Sequence, residues 1–117
     1  MREITFYRLE SGRCPVEEFL DSLNSKQAQK VAWVLQLVEE LDMVPIQFFK
    51  KLVGSEDIWE IRVQVGNNIF RILGFLDGEE LVVLNHAFQK KSQKTPIKEI
   101  RAAENRKRDY LARKNHE

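Results

Sequence analysis

Apolar residues in the first part of the chain recur first with a period of two and then at helical spacing. Residues 3–9, EITFYRL, alternate apolar and polar side chains and predict a strand. After the turn residues SGRC, a short helix is predicted over residues 15–23 because its apolar positions share one face. A second helix, capped by Asn24 or Ser25, carries a wide apolar stripe and ends before Pro45. The two helices predict an antiparallel hairpin that covers a sheet.

The apolar period returns to two in the second half of the chain. WEIRVQV (59–65), NIFRILGFL (68–76) and ELVVLNHAF (80–88) predict three strands. The sequences GN and DGE between them are turn signals, so the three strands predict a β-meander.

A final helix is predicted from Pro96 to about residue 114, with a thin apolar stripe and many basic side chains. The order of elements then predicts one α+β domain over residues 1–117. Its sheet would be mostly antiparallel, with the N-terminal helical hairpin on one face and a C-terminal basic helix.

Composition and cysteine content narrow the class of protein. With 43% apolar and 32% charged residues, the chain is typical of a folded soluble domain. No run approaches the roughly 18 apolar residues of a membrane span, and the N-terminus lacks the layout of a secretory signal. The single Cys14 excludes an internal disulfide, and no Cys/His spacing suggests zinc. We therefore expect a cytoplasmic protein that binds neither membrane nor metal.

The net charge of +1 hides an uneven distribution. Residues 1–88 hold 9 Lys and Arg against 14 Asp and Glu, a net charge of −5, whereas residues 89–117 hold 10 against 4, a net charge of +6. Such asymmetry indicates either a polyanionic partner at one end of the molecule or a solvated basic helix.

The register of the meander decides which polar side chains meet. With two-residue turns at 66–67 and 78–79, the register that we favour, Arg62 lies opposite Arg71 and Arg71 opposite His86. A second turn shifted by one residue leaves His86 on the same face, whereas a three-residue loop moves it to the other face.

In the favoured register the two faces of the meander differ in polarity. One is apolar and is expected to contact the helical hairpin: Trp59, Ile61, Val63, Val65, Phe70, Ile72 and Leu76. The other mixes polar with apolar side chains: Glu60, Arg62, Gln64, Arg71, His86 and Phe88 with Leu73, Phe75, Val82 and Leu84.

Two interpretations fit an Arg62/Arg71 pair, because like charges directly across a ladder need a compensating anion. Glu60 would supply it in a partly exposed, salt-bridged sheet face. Alternatively the two guanidinium groups flank a phosphate, with lysines along the rim. His86 is similarly open to proton transfer or to a structural hydrogen-bonding role, and an aromatic at the strand end, Phe88, to base stacking or to core packing.

Three runs of residues resemble one known family. IWEIRV (58–63), FRILGF (70–75) and VVLNHAFQKKSQKTPIKEI (82–100) together resemble the RelE/HigB-type toxins of bacterial toxin–antitoxin modules, and within them the phage-derived HigB-like branch. The resemblance covers most of the chain, from the first strand to the last helix. It implies a RelE-like fold, in which a sheet has two helices on one side and a basic groove on the other.

The resemblance also implies an activity. Members are ribosome-dependent endoribonucleases, or mRNA interferases, that inhibit translation by cutting messenger RNA without a metal or an organic cofactor. A ribose 2′-hydroxyl attacks the adjacent phosphate and leaves a 2′,3′-cyclic phosphate and a 5′-hydroxyl. This needs a base, positive charge for the phosphorane and an acid. Each toxin is held inactive by a cognate antitoxin, which we expect to be of the helix-turn-helix type.

Position by position, Arg62 and Arg71 resemble basic positions that the family uses at the scissile phosphate. Lys90 and Lys91 resemble its lysine pair after the last strand, and His86 is the candidate acid or base. These five are the expected catalytic residues.

The expected RNA-binding residues lie around them: Lys50, Lys51, Phe88, Lys94 and Lys98. Two other functions remain for the same residues. One is a non-catalytic RNA- or ribosome-binding module with the same fold, and the other is a protein-interaction domain whose basic helix docks an acidic partner.

Overall fold

A five-stranded sheet with helices on both faces makes up the part of the chain that the structure, a computed structural model, describes: residues 1–89 and 94–116. The elements are β1 (Glu3–Phe6), α1 (Pro15–Asp21), α2 (Ser25–Glu40), β2 (Phe49–Lys51), β3 (Trp59–Val65), β4 (Asn68–Asp77), β5 (Leu81–Gln89) and α3 (Ile97–Lys114). The strand order is β1-β5-β4-β3-β2, and only the β1–β5 pair in this range is parallel. The predicted α+β fold, with its mostly antiparallel sheet, is confirmed.

Local sequence signals define both ends of α2. The Asn24 side chain accepts a hydrogen bond from Gln27 N at 2.8 Å, and the Gln27 side chain accepts one from Asn24 N at 3.1 Å, which forms a capping box. At the other end, the Arg2 guanidinium donates to the carbonyl oxygens of Val38 and Leu41 at 3.1 and 2.6 Å. Arg2 thereby satisfies carbonyls that have no partner within the helix and ties the N-terminus to the hairpin.

The helical hairpin covers one face of the sheet, as its apolar stripes predict. Val16, Val31, Val34 and Val38 from the helices are at most 1% exposed. They pack in one cluster with strand residues of the predicted apolar face, among them Ile61, Val63, Phe70 and Ile72. Burial of each such side chain contributes about 1.5–3 kcal/mol relative to exposure, so this layer is the main apolar core.

The register of β3 and β4 is as predicted, and that of β4 and β5 is not. Val65 pairs with Asn68 across a two-residue turn, and Arg62 lies opposite Arg71. Between β4 and β5, however, Asp77 pairs with Leu81, so the connection is a three-residue loop rather than the two-residue turn that we favoured.

A β-bulge then changes the consequence of that loop. Gly74 pairs with Leu84 but Leu73 pairs with His86, so Asn85 is the extra residue. Side chains alternate with a period of two, so the odd loop and the bulge together return His86 to the face of Arg71. The predicted Arg71–His86 pair is wrong: Arg71 lies opposite Phe88.

Val82 and Leu84 lie on the wrong face in the predicted arrangement. Val82 and Leu84 lie between the loop and the bulge. The three-residue loop alone therefore determines which face of the sheet their side chains occupy. Both pack in the hairpin core, and Val83 takes the opposite face with Tyr7 and Phe75.

The opposite face of the sheet is partly covered by α3. Leu52, Ile58, Leu73, Phe88 and Ala103 form one small cluster there. Tyr110 packs edge-to-face on Phe75, with ring centroids 5.3 Å apart. The basic helix is therefore a structural layer of the domain and not a separate arm.

Two strands differ from the predicted pattern. β1 ends at Phe6 rather than at residue 9, and β2, an edge strand of only three residues, was not predicted. The helices among residues 1–89 and 94–116 are too short or too polar to cross a membrane.

Substitution of Gly74 tests the bulge. A Cβ at this position would lie 2.2 Å from the carbonyl oxygen of Val83 on the neighbouring strand, so backbone must move to admit it. We expect Gly74→Ala to lower the free energy of unfolding in urea by about 3 kcal/mol. Gly66→Ala, at an exposed turn with φ of 60° and open space around it, should cost only about 1–2 kcal/mol. Equal losses would contradict the close backbone approach.

Candidate functional site

Two rows of side chains cross the sheet on the α3 face. Lys50 pairs with Glu60, Glu60 with Leu73, and Leu73 with His86, which gives one row across four strands. The neighbouring row is Arg62, Arg71 and Phe88. Most of the predicted site residues of the strands thus share one face, although in a different pairing from the one expected.

Arg71 and Glu60 form a buried ion pair at the centre of these rows. Their side chains are 1% and 2% exposed, and Nη1 of Arg71 lies 3.7 Å from Oε1 of Glu60. The hydroxyl of Thr95, just before α3, donates to Glu60 Oε1 and accepts a hydrogen bond from Arg71 Nη1 at 3.1 Å. We call these three side chains, Glu60, Arg71 and Thr95, the clasp.

For Arg71, the clasp decides between the two interpretations of the Arg62/Arg71 pair. Glu60 supplies the compensating anion, but the expectation of a partly exposed, weak salt bridge is wrong, because both side chains are almost fully buried and Thr95 contacts both. A substrate phosphate cannot reach the Arg71 guanidinium in this conformation. Arg62, in contrast, is only partly buried and borders open space.

His86 is held by two residues of α3. Nη1 of Arg106 lies 2.9 Å from Nδ1 of His86, and Oε1 of Glu99 lies 3.0 Å from Nε2. A guanidinium can only donate, so Nδ1 accepts, and a neutral ring then carries its proton on Nε2 and donates it to Glu99. Arg106 also donates to the carbonyl oxygen of Asn85 at 2.8 Å, which ties it to the bulge.

The pKa of His86 lies below its ordinary value of 6.5. Burial is the main cause, the hydrogen bond with Glu99 opposes it, and the nearby charge of Arg106 lowers the pKa further. Both ring nitrogens are engaged and the neutral form is favoured, so the arrangement matches the structural role that we weighed against proton transfer.

Phe88 belongs to the core. It is 8% exposed and packs with Leu52, Ile58, Leu73 and Ala103. This burial favours core packing over base stacking, because stacking needs an open ring face.

A groove of about 920 Å³ runs along the edge strand β2 to the start of α3. Lysines 50, 51 and 94 line it together with Thr95, Trp59 and apolar side chains, including the exposed Ile46 and Val53. A smaller adjoining pocket of about 350 Å³ is lined by Ile46, Gln47, Lys50, Glu60 and Arg62. The structure therefore brings Lys50, Lys51, Lys94 and Arg62 together around connected open space.

The remaining basic residues are less concentrated. Lys51 also pairs with Asp57 at 2.7 Å, and its hydrogen bond and its charge lower the pKa of that carboxyl. Lys98 is exposed on the first turns of α3, outside the lining of the groove. Lys90 and Lys91 lie outside the described residues.

Much of the positive charge of α3 is paired. Arg108 contacts Glu56 at 2.6 Å, Arg113 contacts Asp109 at 2.6 Å, and Lys114 contacts Asp77 at 2.8 Å. Ion pairs within the protein therefore neutralise part of the charge of this helix, as Asp57 does for Lys51 in the groove.

Three polar residues of the site were not predicted: Thr95, Glu99 and Arg106. Glu99 lies four residues before Ala103, and this spacing puts it on the sheet-facing side of α3, whereas Thr95 precedes the helix. That spacing is a usable signal, but apolar periodicity alone ignores it. Apolar periodicity also places Ile97 on the buried stripe of the helix, although its side chain is 68% exposed.

Chemically, the groove can hold a phosphodiester through ammonium and guanidinium groups. Residues 1–89 and 94–116 contain no cluster of three or more His, Cys, Asp or Glu side chains that would hold a metal ion.

Comparison with known families gives one match. A family described as Phage derived protein Gp49-like (DUF891) matches residues 18–108. The chain belongs to this family. The match spans most of the hairpin, all of the meander and more than half of α3, so it includes the clasp and the groove. No curated protein sequence matches this Gp49-like protein.

The clasp makes a specific prediction for stability. Arg71→Ala leaves the buried Glu60 carboxylate without its countercharge, so we expect the free energy of unfolding to fall by about 3–5 kcal/mol. Arg62→Ala, at a partly exposed position one strand away, should change it by less than about 0.5 kcal/mol. Urea unfolding of both variants measures this. Similar small losses for the two arginines would contradict a buried pair.

The environment of His86 predicts a pH dependence. Because its folded pKa is lower than 6.5, the unfolded chain binds more protons as the pH falls below about 6.5, and stability declines there by up to about 1.4 kcal/mol per pH unit. Hydrogen bonds with Lys114 and Tyr7 lower the pKa values of Asp77 and Asp109 respectively, so these two carboxyls stay charged between pH 7 and 5. Urea unfolding between pH 7 and 5 should show the slope, and His86→Gln should flatten it. If the slope of stability against pH is unchanged in the variant, the slope arises from a titratable group other than His86.

Proposed function

We propose that this Gp49-like protein is the toxin of a type II toxin–antitoxin module and acts as a ribosome-dependent mRNA endoribonuclease. The observation that carries the proposal is the groove lined by Lys50, Lys51 and Lys94, together with the adjoining pocket lined by Arg62, which offer space large enough for an RNA backbone. Membership of a phage-derived family and the resemblance to RelE/HigB-type toxins support the same function.

In the proposed reaction the ribose 2′-hydroxyl of the messenger RNA attacks the adjacent phosphorus atom. The 2′-oxygen loses its proton to a base, the bond from phosphorus to the 5′-oxygen breaks, and that oxygen is protonated as it leaves. Arg62 is the best placed guanidinium for the charge that develops on the phosphate, because it borders the pocket that Lys50 also lines. The lysines of the groove would position the flanking phosphates.

Arg71 and His86 have indirect roles in this proposal. Arg71 is paired with Glu60 inside the clasp, and His86 is bound at both nitrogens by Glu99 and Arg106. They keep α3 on the sheet, and the start of α3 borders the groove. Lys90 and Lys91 keep their proposed catalytic roles on the basis of the resemblance alone.

A non-catalytic RNA- or ribosome-binding module is the second candidate function. It is favoured by the engagement of Arg71 and His86 in contacts within the protein, which removes two of the expected catalytic groups from the groove. The groove lysines would serve such a module equally well. Cleavage is therefore the property that separates the two candidates.

The proposed partners follow from the proposed function. They are messenger RNA, the ribosome and a cognate antitoxin of the helix-turn-helix type. The cell compartment is the cytoplasm, where all three are found.

Cleavage of a defined messenger RNA by the purified protein, with and without translating ribosomes, tests the proposal. We expect cuts only with ribosomes, and products that end in a 2′,3′-cyclic phosphate and a 5′-hydroxyl. Arg62→Ala should lower the cleavage rate about 100-fold, because one charged donor at the phosphate is lost. This variant is preferable to Arg71→Ala, whose effect on stability would obscure its effect on cleavage.

Arg13→Ala is the matched control. Arg13 is exposed beside α1 and pairs with Glu18 at 2.7 Å, outside the lining of the groove. Its removal should leave the cleavage rate unchanged. Absence of cuts by the folded protein, with ribosome binding intact, would support the binding module instead.

A further inference from the structure

The residue just before α3, Thr95, joins the buried ion pair to the groove. Its hydroxyl donates to Glu60 and accepts from Arg71, while its own position borders the groove beside Lys94. A single side chain thus contacts the interior of the sheet and adjoins a cation that faces the open space.

The backbone around Thr95 is constrained on both sides. Pro96 follows, which restricts Thr95 to extended conformations, and Pro96 is the N-cap of α3. The Pro96 carbonyl oxygen accepts hydrogen bonds from the backbone N–H groups of Glu99 and Ile100 at 3.0 and 3.3 Å. The hydrogen bonds of the first helical turn and those of the Thr95 side chain therefore restrain the same short segment, residues 95 and 96.

Apolar and polar contacts both hold this end of the helix. Ile97 is 68% exposed, but Ile100 is partly buried against the small cluster that contains Ala103. The polar contacts of Thr95 with the clasp and of Glu99 with His86 fix the start of α3 on the sheet together with Ile100.

From this geometry we infer that Thr95 is a positioning residue for RNA binding: its hydroxyl, held by the Glu60–Arg71 pair, places Lys94 to contact a phosphate of single-stranded RNA in the groove. The inference rests on the proposed function, of which it specifies one element. Thr95 acts through Lys94 and contributes no contact of its own to the RNA.

Salt dependence provides a readout that general destabilisation does not change. For single-stranded nucleic acid, each phosphate contact contributes about 0.7 to the slope of log affinity against log salt. Loss of the Lys94 contact should therefore reduce the slope by about 0.7 and weaken binding about fivefold at 0.1 M salt.

The test measures binding of a short single-stranded RNA to the full-length protein across a range of salt concentrations. Thr95→Val keeps the shape of the side chain but removes the hydroxyl, and we expect it to reduce the slope as much as Lys94→Gln does. The double variant should be no weaker than either single variant, because Thr95 acts through Lys94. Thr95→Ser keeps a hydroxyl and should restore the affinity and the slope.

Thr5→Val is the matched control. Thr5 is exposed on β1, at the opposite edge of the sheet from β2, and should leave RNA binding unchanged. Thermal unfolding of each variant separates a loss of folded protein from a loss of contact. An unchanged salt slope in folded Thr95→Val, or additive effects in the double variant, would overturn the inference while the proposed function stands. Failure of the wild-type protein to bind RNA, alone or on ribosomes, would overturn both.

Discussion

The contact on which the site depends is the ion pair between Arg71 and Glu60, closed on one side by Thr95. Two neighbouring strands place Arg62 directly opposite Arg71, and one buried carboxylate on the same face offsets this concentration of positive charge. The energetic penalty for leaving either charge unpaired in the interior is several kcal/mol, so the two side chains and the hydroxyl that bridges them are mutually required. Because that hydroxyl precedes α3, the pair also determines where the last helix meets the sheet.

The basic residues in and around the clasp fall into two groups according to their burial. Arg71 is enclosed and contributes to the fold, whereas Arg62 and the lysines at 50, 51 and 94 face open space. On the outer side of α3, ion pairs with Glu56, Asp109 and Asp77 neutralise much of the charge. These four basic side chains therefore lie near one another at one edge of the sheet, although Lys51 is also paired with Asp57.

How far the sequence predicts this arrangement depends on the kind of signal at each position. The Gly66-Asn67 turn fixes the β3–β4 register, because a two-residue hairpin needs a positive φ, which Gly66 adopts at 60°. Asn24 was recognisable as a cap for a similar local reason. The β4–β5 register was not predictable, because a three-residue loop and a bulge at Asn85 offset each other and neither has a unique sequence signature. Burial of the clasp depends on the docking of α3 through polar side chains, which hydrophobic periodicity does not report.

In the proposed function, RNA phosphates bind along β2 and the start of α3, and not on the outer surface of the basic helix. Backbone amide chemical shifts, followed while a short single-stranded RNA is added to the folded protein, test it most directly. We expect the largest shifts in residues 46–53, at Arg62 and at residues 94–95. Shifts confined to the exposed face of α3, around Lys98, Arg101 and Arg108, would contradict it.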